Sequence, residues 1–279
     1  MVTYRRIAAL AAAVLLLPAA VLADDGLSYS GSSTIGQSIL EAAGAKKAFE
    51  AKTGIKFRSF DVPGSGKGIE ALIAGKVSVA GASRPIKPAE KAAGVLGTVI
   101  GYDAVAVFVN KENPVKDLSK EQLKGIFTGK IKNWKEVGGK DAPIVVNTEI
   151  QGAKRATMEM FNEMVMDKAP YGAGFKEIDL PKDQIIEVAR TPNGIGTPSF
   201  GLLAAVPPDV RAKVKALWVD GVAPTHEDIQ SGAYLISRPL NLATKGAPKG
   251  DVKTFIDYML SPAGQAFVGK DFVPVRKAR

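Results

Sequence analysis

Apolar residues recur along this chain with two spacings, and the two spacings alternate. Short runs of apolar or alternating residues predict strands, whereas apolar residues three or four positions apart predict one face of a helix. Strands are predicted over 27–30, 55–62, 77–82, 103–110 and 143–147, with an extended segment over 233–244. Helices are predicted over 35–53, from 69, from 123, over 153–166, over 208–218 and from 252. This alternation indicates an α/β fold built on parallel sheets.

Residues at the predicted ends of several elements support these assignments. Gly54 follows the first helix, and glycine is a common residue just after a helix. Ser119 and Gln122 form a capping box ahead of the helix that contains Leu123. The run 103–110 is apolar almost throughout, which predicts a strand buried on both faces. The chain has no internal repeat or low-complexity linker, so we expect two domains joined by strands that cross between them.

The first residues have the pattern of a secretory signal peptide. Arg5 and Arg6 precede an apolar run over 7–21, and small or tolerated residues at 21–23 provide a cleavage site after Ala23. The run is shorter than the roughly 20 residues of a spanning helix, and the chain has no cysteine for a lipid anchor. Removing 23 residues and two arginines from the 279 leaves 256 residues and lowers the net charge from +9 to +7. We expect a soluble protein exported to the periplasm.

The composition excludes several kinds of site. There is no cysteine, which removes disulfides, iron–sulfur clusters, cysteine-ligated zinc and cysteine nucleophiles. The one histidine, His226, disfavours a multi-histidine metal site, and its polar surroundings predict a solvated residue. No metal or cofactor is expected. A net charge of +7 favours anionic partners, but lysines and arginines are scattered, so no nucleic acid partner is expected. The methionines at 158, 160, 164 and 166 predict core packing.

Three junctions between a predicted strand and a predicted helix share one chemistry. They are 32–34, 64–66 and 151–155, and they are rich in glycine, hydroxyl or cationic residues. The first turn of a helix carries unpaired N–H groups and the positive end of the helix dipole. Several such turns brought together would bind an oxyanion without a metal. The alternative is that each is an ordinary helix cap.

Motifs of catalysis are absent from the sequence. The segment 64–67 has a superficial likeness to a phosphate loop, but Asp61 stands where that motif needs glycine and Gly68 where it needs serine or threonine. No nucleophile-elbow motif is present, and no pair of carboxylates stands out. We expect a protein that is not an enzyme.

Seven segments arrive in an order and spacing that resemble one family. They are G-S-S-T-I (31–35), P-G-S-G-K-G-I (63–69), A-G-A-S-R-P (80–85), V-N-K-E-N-P-V (109–115), L-K-G-I-F-T-G-K-I-K-N-W (123–134), P-N-G-I-G (192–196) and S-R-P-L (237–240). They resemble the phosphate-binding proteins of the high-affinity phosphate ABC transporter.

The resemblance implies an architecture and a function. The fold would be a two-lobed, hinged periplasmic binding protein (type II-like), each lobe a sheet flanked by helices. Lobe I would comprise 24–102 and 236–279, and lobe II 103–235. The protein would be a monomer that closes on phosphate or a related oxyanion and delivers it to an ABC transporter permease.

The resemblance also implies anion ligands, some of them altered here. Ser78 stands where the family has an aspartate, and Thr148 where it has an arginine, while Lys154 or Arg155 is expected to supply charge instead. Without that aspartate the protein should bind a fully ionised oxyanion at least as well as phosphate, or separate the two poorly, unless Asp61 takes over the role. The full predicted set is Ser33, Thr34, Ile35, Ser65, Gly66, Ser78, Gly152, Ala153, Lys154 and Arg155.

Two other functions stay open on the sequence. One is a degenerate paralogue that acts as a sensor or scaffold with a protein partner such as a sensor kinase. The other is a secreted phosphatase-like enzyme, which no nucleophile–base pair supports.

Overall fold

A computed structural model describes residues 26–151 and 156–275, and nearly all of its strands belong to two sheets. In chain order the strands are β1 (Leu27–Gly31), β2 (Phe57–Asp61), β3 (Val79–Ala82), β4 (Val95–Ala104), β5 (Phe108–Asn110), β6 (Asp117–Leu118), β7 (Val145–Glu149), β8 (Lys176–Ile178), β9 (Gly194–Gly196), β10 (Val214–Ala216), β11 (Trp218–Val219), β12 (Ser237–Lys245) and β13 (Val273–Pro274).

Helices flank both sheets. In chain order they are a π-helix (Thr34–Ala42), α1 (Ala45–Thr53), α2 (Ser65–Ile73), α3 (Pro88–Ala92), α4 (Lys120–Phe127), α5 (Ala156–Met164), α6 (Pro181–Arg190), α7 (Pro208–Arg211), α8 (His226–Ser231), α9 (Gly250–Leu260) and α10 (Pro262–Val268). Short 3₁₀ turns lie at Trp134–Val137 and Phe200–Ala205. In the part of the chain described, no helix has the length and apolar character to cross a membrane.

The first sheet has six strands in the order β13-β4-β12-β3-β1-β2. Strand β1 pairs in parallel with β2 and β3, whereas β12 runs antiparallel to β3 and β4. The sheet is therefore mixed. The alternation of strands and helices predicted a sheet that is parallel throughout, and for this sheet that prediction was wrong. The three parallel strands end at one edge, and the loops that follow them meet there.

The second sheet has five strands in the order β10-β5-β9-β7-β8. Its core includes Phe127, Trp134 and Phe161, all buried. Met160 and Met166 are buried in the same core and Met164 packs against it, which confirms the prediction of core packing for these methionines, while Met158 is half-buried. The predicted capping box also forms, because Gln122 N donates to Ser119 Oγ at 3.1 Å and Ser119 N donates to the Gln122 side chain at 2.9 Å.

The predicted helix over 35–53 is two helices. The π-helix ends with Ala43 N donating to Ser38 O, five residues back, and Gly44 then takes a left-handed conformation with φ of 93°. Ile39 and Phe49 lie on either side of this break, and both are buried in the core of the first sheet. The apolar spacing continues across Gly44, so the pattern alone predicted one helix.

Two further predictions were wrong in their boundaries. The run 103–110 is the end of β4, a buried crossing over 105–107 and then β5, which lies in the other sheet. Burial along the whole run made it look like one strand. The predicted helix over 208–218 is the short helix α7 followed by β10 and the start of β11.

Strands β4 and β12 lead from the first sheet to the second. They pair from Val95↔Lys245 to Ala104↔Ser237, and the chain enters the second sheet just beyond that last pair. The C-terminal segment bridges the same junction, since Ser199 Oγ donates to Asp271 O at 3.1 Å and Gln230 Nε2 donates to Pro274 O at 2.7 Å. The lobe boundaries given above stay a prediction.

Candidate functional site

The loops after β1, β2 and β3 touch through their backbones at the carboxyl edge of the first sheet. Ser32 N donates to Gly81 O, and Gly64 N donates to Gly31 O, both at 2.9 Å. A Cβ at Gly31 would lie 2.5 Å from Gly81 N, and one at Gly68 would lie 2.5 Å from Ser30 O. Glycine at 31 lets the ends of β1 and β3 lie this close, and glycine at 68 lets the start of α2 pack directly on the end of β1.

Ser65 links two of these loops. Ser65 begins α2, and its Oγ accepts a hydrogen bond from Ser83 N at 3.2 Å while lying 3.5 Å from Ser83 Oγ. Gly66 follows it in the first turn of α2 and is exposed. Two hydroxyls and the free N–H groups of a helix N-terminus therefore lie side by side, which is a donor-rich surface.

The π-helix begins beside this surface. Thr34, in its first turn, is 5% exposed, and its hydroxyl makes no hydrogen bond to another described residue. Ile35 N donates to Ser32 Oγ at 3.4 Å, which is at the long end for such a bond. Ser33 is half-buried beside Thr34. The structure thus brings Ser33, Thr34 and Ile35 to the same edge of the sheet as Ser65 and Gly66.

A cavity of about 500 Å³ lies between the two sheets next to Thr34. On the side of the first sheet Ser33, Thr34 and Asp271 line it. On the side of the second sheet Lys182, at the start of α6, and Ser199 line it. Residues far apart in sequence and belonging to both sheets thus share one solvent-filled space, where a small ligand would be enclosed from two sides.

Asp103 is a residue of this cavity that the sequence analysis did not identify. It is 2% exposed at the end of β4, and its Oδ2 accepts from Arg238 Nη2 at 3.1 Å. Its Oδ1 is buried with no hydrogen-bond partner among the described residues. The sequence did contain a sign of this residue, because an aspartate begins the apolar run 103–110. A charge in a buried strand costs free energy unless it is paired or hydrogen-bonded, so such a residue is a candidate for a site.

Arg84 is a second residue that sequence analysis did not place in the site. It follows Ser83, and its guanidinium binds the Glu90 carboxylate through Nη1 at 2.9 Å and Nη2 at 2.6 Å. The hydrogen bonds from Arg84 lower the pKa of Glu90, and those bonds together with the charges of Glu90 and then Glu163 raise the pKa of Arg84. Glu163 belongs to α5, which packs on the second sheet, so the charge that acts on Arg84 includes a carboxylate from outside the first sheet.

Ser78 is not part of this site, which corrects its prediction as an anion ligand. It precedes β3 at the amino end, and it exchanges hydrogen bonds with Ser28, including Ser28 N to Ser78 Oγ at 2.9 Å. Three residues, or about 10 Å of strand, separate it from Gly81 at the site edge. Asp61 does end its strand at that edge, but it is exposed and its Oδ1 accepts from Val62 N at 2.8 Å.

The carboxyl end of β7, in the second sheet, is linked to the cavity through Thr157. Thr148 is 2% exposed there, and its hydroxyl has no partner among the described residues. The neighbouring Glu149 accepts from Thr157 Oγ1 at 2.8 Å, and Thr157 lines the cavity. The predicted ligands Gly152, Ala153, Lys154 and Arg155 lie outside the described residues.

Other polar side chains are set apart from this arrangement. His226 is exposed at the start of α8, with its ring 5.7 Å from that of Phe200. Across residues 26–151 and 156–275 no grouping of histidine, aspartate or glutamate could hold a metal ion.

Comparison with known proteins decides the family. A sequence model of the PBP superfamily domain matches residues 19–263. The phosphate-binding protein PstS of Bacillus subtilis (strain 168) is 34% identical over 258 residues, covering 91% of this chain and 82% of that protein. The chain belongs to the phosphate-binding protein family. The resemblance given by the seven sequence segments is therefore confirmed.

Solved structures agree with this family assignment. PstS from Borrelia burgdorferi superposes with a TM-score of 0.75 at 26% identity, covering 90% of this chain and 99% of that one. An ABC-type phosphate transport receptor from Vibrio cholerae gives a TM-score of 0.68 at 26% identity, covering 87% and 96%. Like other members of the phosphate-binding protein family, the chain has a mixed α/β fold of sheets flanked by helices, which confirms the predicted fold class.

Proposed function

We propose that the protein captures phosphate or a related tetrahedral oxyanion and passes it to the permease of an ABC importer. The observation that carries this proposal is Thr34, which lies at a helix start, is 5% exposed and lines a cavity between the two sheets, while its hydroxyl bonds to no described residue. A hydroxyl without a protein partner at the wall of a cavity is available to donate to an anion.

The oxyanion would bind at the edge formed by the loops after β1, β2 and β3. Thr34 would donate its hydroxyl, and the backbone N–H groups at the starts of the π-helix and α2 would add donors with the favourable end of the helix dipole. Ser33, Ile35, Ser65 and Gly66 belong to these two helix starts. All of these donors are neutral, so charge must come from elsewhere.

Positive charge would come from the second sheet. Lys182 lines the cavity from the start of α6. Lys154 and Arg155 follow β7, whose Glu149 accepts a hydrogen bond from Thr157 in the cavity wall, and we assign them the same role. Arg84 is held by Glu90 and would act on the ligand only at longer range.

Closure would bring the two sets of donors together. Residues 24–102 and 236–279 would form lobe I and 103–235 lobe II, with the hinge where β4 and β12 leave the first sheet. We infer that the protein is exported with its first 23 residues removed and works as a monomer without catalysing a reaction. Its net charge of +7 after that removal favours encounter with anions.

A thermal-shift screen tests this function. Phosphate, sulfate, arsenate and molybdate are added at millimolar concentration, and a ligand present at 100 times its Kd should add about 2.7 kcal/mol to the free energy of unfolding. A rise in Tm with phosphate is expected. If no oxyanion raises Tm, the transport function fails and a sensor or scaffold function takes its place; hydrolysis of a phosphoester in the same samples would instead indicate an enzyme.

A further inference from the structure

The cavity next to Thr34 has apolar walls beside its polar ones. It measures about 500 Å³ in the state that the structure describes, which leaves room for a small organic ligand. Leu180, Leu202 and Phe272 give it apolar walls that an inorganic anion would not use.

Two acidic residues line the same cavity. Asp103 is buried, and only one of its oxygens is held by Arg238, so the other needs a hydrogen-bond donor. Asp271 is half-buried, and burial raises the pKa of its carboxyl. An inorganic anion alone would bring negative charge towards both groups, which is unfavourable. Lys182, the one cationic residue among the described residues that line the cavity, can balance the anion or a carboxylate but not both.

An ammonium group would meet both requirements. It carries three N–H donors and a positive charge, so it would satisfy the free oxygen of Asp103 and balance Asp271. A short carbon chain between the ammonium and the oxyanion would pack on the leucine and phenylalanine side chains. Ser33 and Thr34 would hold the oxyanion end in the same cavity.

We propose that the preferred ligand is a tetrahedral phospho-oxyanion with a short organic arm that ends in an ammonium group, of the phosphonate or phosphate-monoester class. This inference rests on the proposed function, because it uses the same anion-binding edge. It adds Asp103 and Asp271 as residues that determine specificity.

Isothermal titration with three probes tests the inference. The probes are inorganic phosphate, ethylphosphonate and 2-aminoethylphosphonate; the last two differ only in the amine. We expect 2-aminoethylphosphonate to bind at least tenfold more tightly than either of the others. Phosphoethanolamine, titrated alongside, distinguishes the monoester from the phosphonate.

Variants locate the amine. Asp271→Asn should reduce the preference for 2-aminoethylphosphonate over ethylphosphonate at least fivefold, and ethylphosphonate should bind at least as tightly as before because the variant removes a negative charge from the cavity. Asp257→Asn makes the same charge change at an exposed residue of α9 and should alter none of the affinities. Thermal unfolding without ligand checks that each variant folds, and the probe comparison on the unaltered protein decides the question even if Asp271→Asn does not fold.

The outcomes separate the two proposals. If phosphate binds as tightly as 2-aminoethylphosphonate, or if Asp271→Asn weakens all probes equally, the inference is overturned and the proposed function stands; Asp103 would then accept a hydrogen bond from a protonated oxygen of phosphate itself. If none of the probes binds, the proposed function fails as well.

Discussion

Arg238 and Asp103 stand directly opposite each other on β12 and β4, and Arg238 Nη2 donates to Asp103 Oδ2 at 3.1 Å. The pair lies where these two strands leave the first sheet, and Asp103 also lines the cavity. Asp103 therefore belongs both to the ion pair on the strands that connect the two sheets and to the wall of the proposed binding site.

Removing the arginine should destabilise the protein strongly. Arg238→Ala leaves the carboxylate of Asp103 buried without its charge partner, and such a change costs about 3–5 kcal/mol. Lys253→Ala removes a cation from an exposed ion pair with Asp257 and should cost under about 1 kcal/mol. Urea unfolding of both variants measures the difference. Equal small losses would mean that the Asp103 carboxylate does not depend on Arg238.

Thr34→Val should weaken ligand binding while leaving the fold intact. Valine keeps the shape of threonine but removes a hydroxyl that bonds to no described residue. Loss of a hydrogen bond to a charged ligand costs about 1.5–3 kcal/mol, or roughly 10- to 150-fold in Kd. Titration with phosphate, and Tm without it, measure the two effects; Thr98→Val on β4, away from the cavity, is the control. An unchanged Kd in Thr34→Val would remove Thr34 from the site.

Close backbone packing at the carboxyl edge of the first sheet predicts opposite outcomes for two glycines of α2. A Cβ at Gly68 would lie 2.5 Å from Ser30 O and closer still to Gly31 Cα, whereas a Cβ at Gly66 meets nothing within 4 Å. Gly68→Ala should destabilise the protein by about 1–3 kcal/mol or more, because backbone has to move. Gly66→Ala should be neutral or slightly stabilising, since alanine favours helix. Chemical unfolding of both variants is the measurement, and equal effects would contradict the packing described.

The ion pair between Arg84 and Glu90 should make the protein less stable at acid pH than at neutral pH. Arg84 holds the pKa of Glu90 below its ordinary value of about 4.3. The contribution of this ion pair to the free energy of unfolding is therefore present above about pH 4.3 and is lost as the pH falls through the lowered pKa of Glu90 in the folded state. Unfolding of the unaltered protein and of Glu90→Gln at pH 7 and at pH 3 should show a larger stability difference at pH 7. A difference that is the same at both pH values would show that the pair contributes nothing through ionisation.

The sequence indicated the binding edge because its chemistry is local. Thr34 and Ser65 each begin a helix just after a strand, and parallel strands place such starts at one edge of a sheet. The sequence could not show which hydrogen-bond partners these side chains have in the folded chain. Ser65 was predicted to donate to an anion, and in the folded chain its oxygen also accepts from Ser83 N, eighteen residues away.

Ser78 was misplaced for a related reason. Its predicted role came from matching it to the aspartate position of the family. An error of a few positions in such a match moves a residue from one end of a strand to the other. Its true neighbour, Ser28, is fixed by the parallel register of β1 and β3, which no local pattern contains. Asp103 was overlooked because its importance depends on Arg238, 135 residues later in the chain.

Isothermal titration of the purified protein with inorganic phosphate at neutral pH tests the central claim most directly. The account predicts one saturable site per chain, with a Kd on the order of 1 µM corresponding to about 8 kcal/mol. It also predicts that Thr34→Val weakens that site. Absence of saturable heat up to millimolar phosphate, in a protein that unfolds cooperatively and is therefore folded, would contradict the claim.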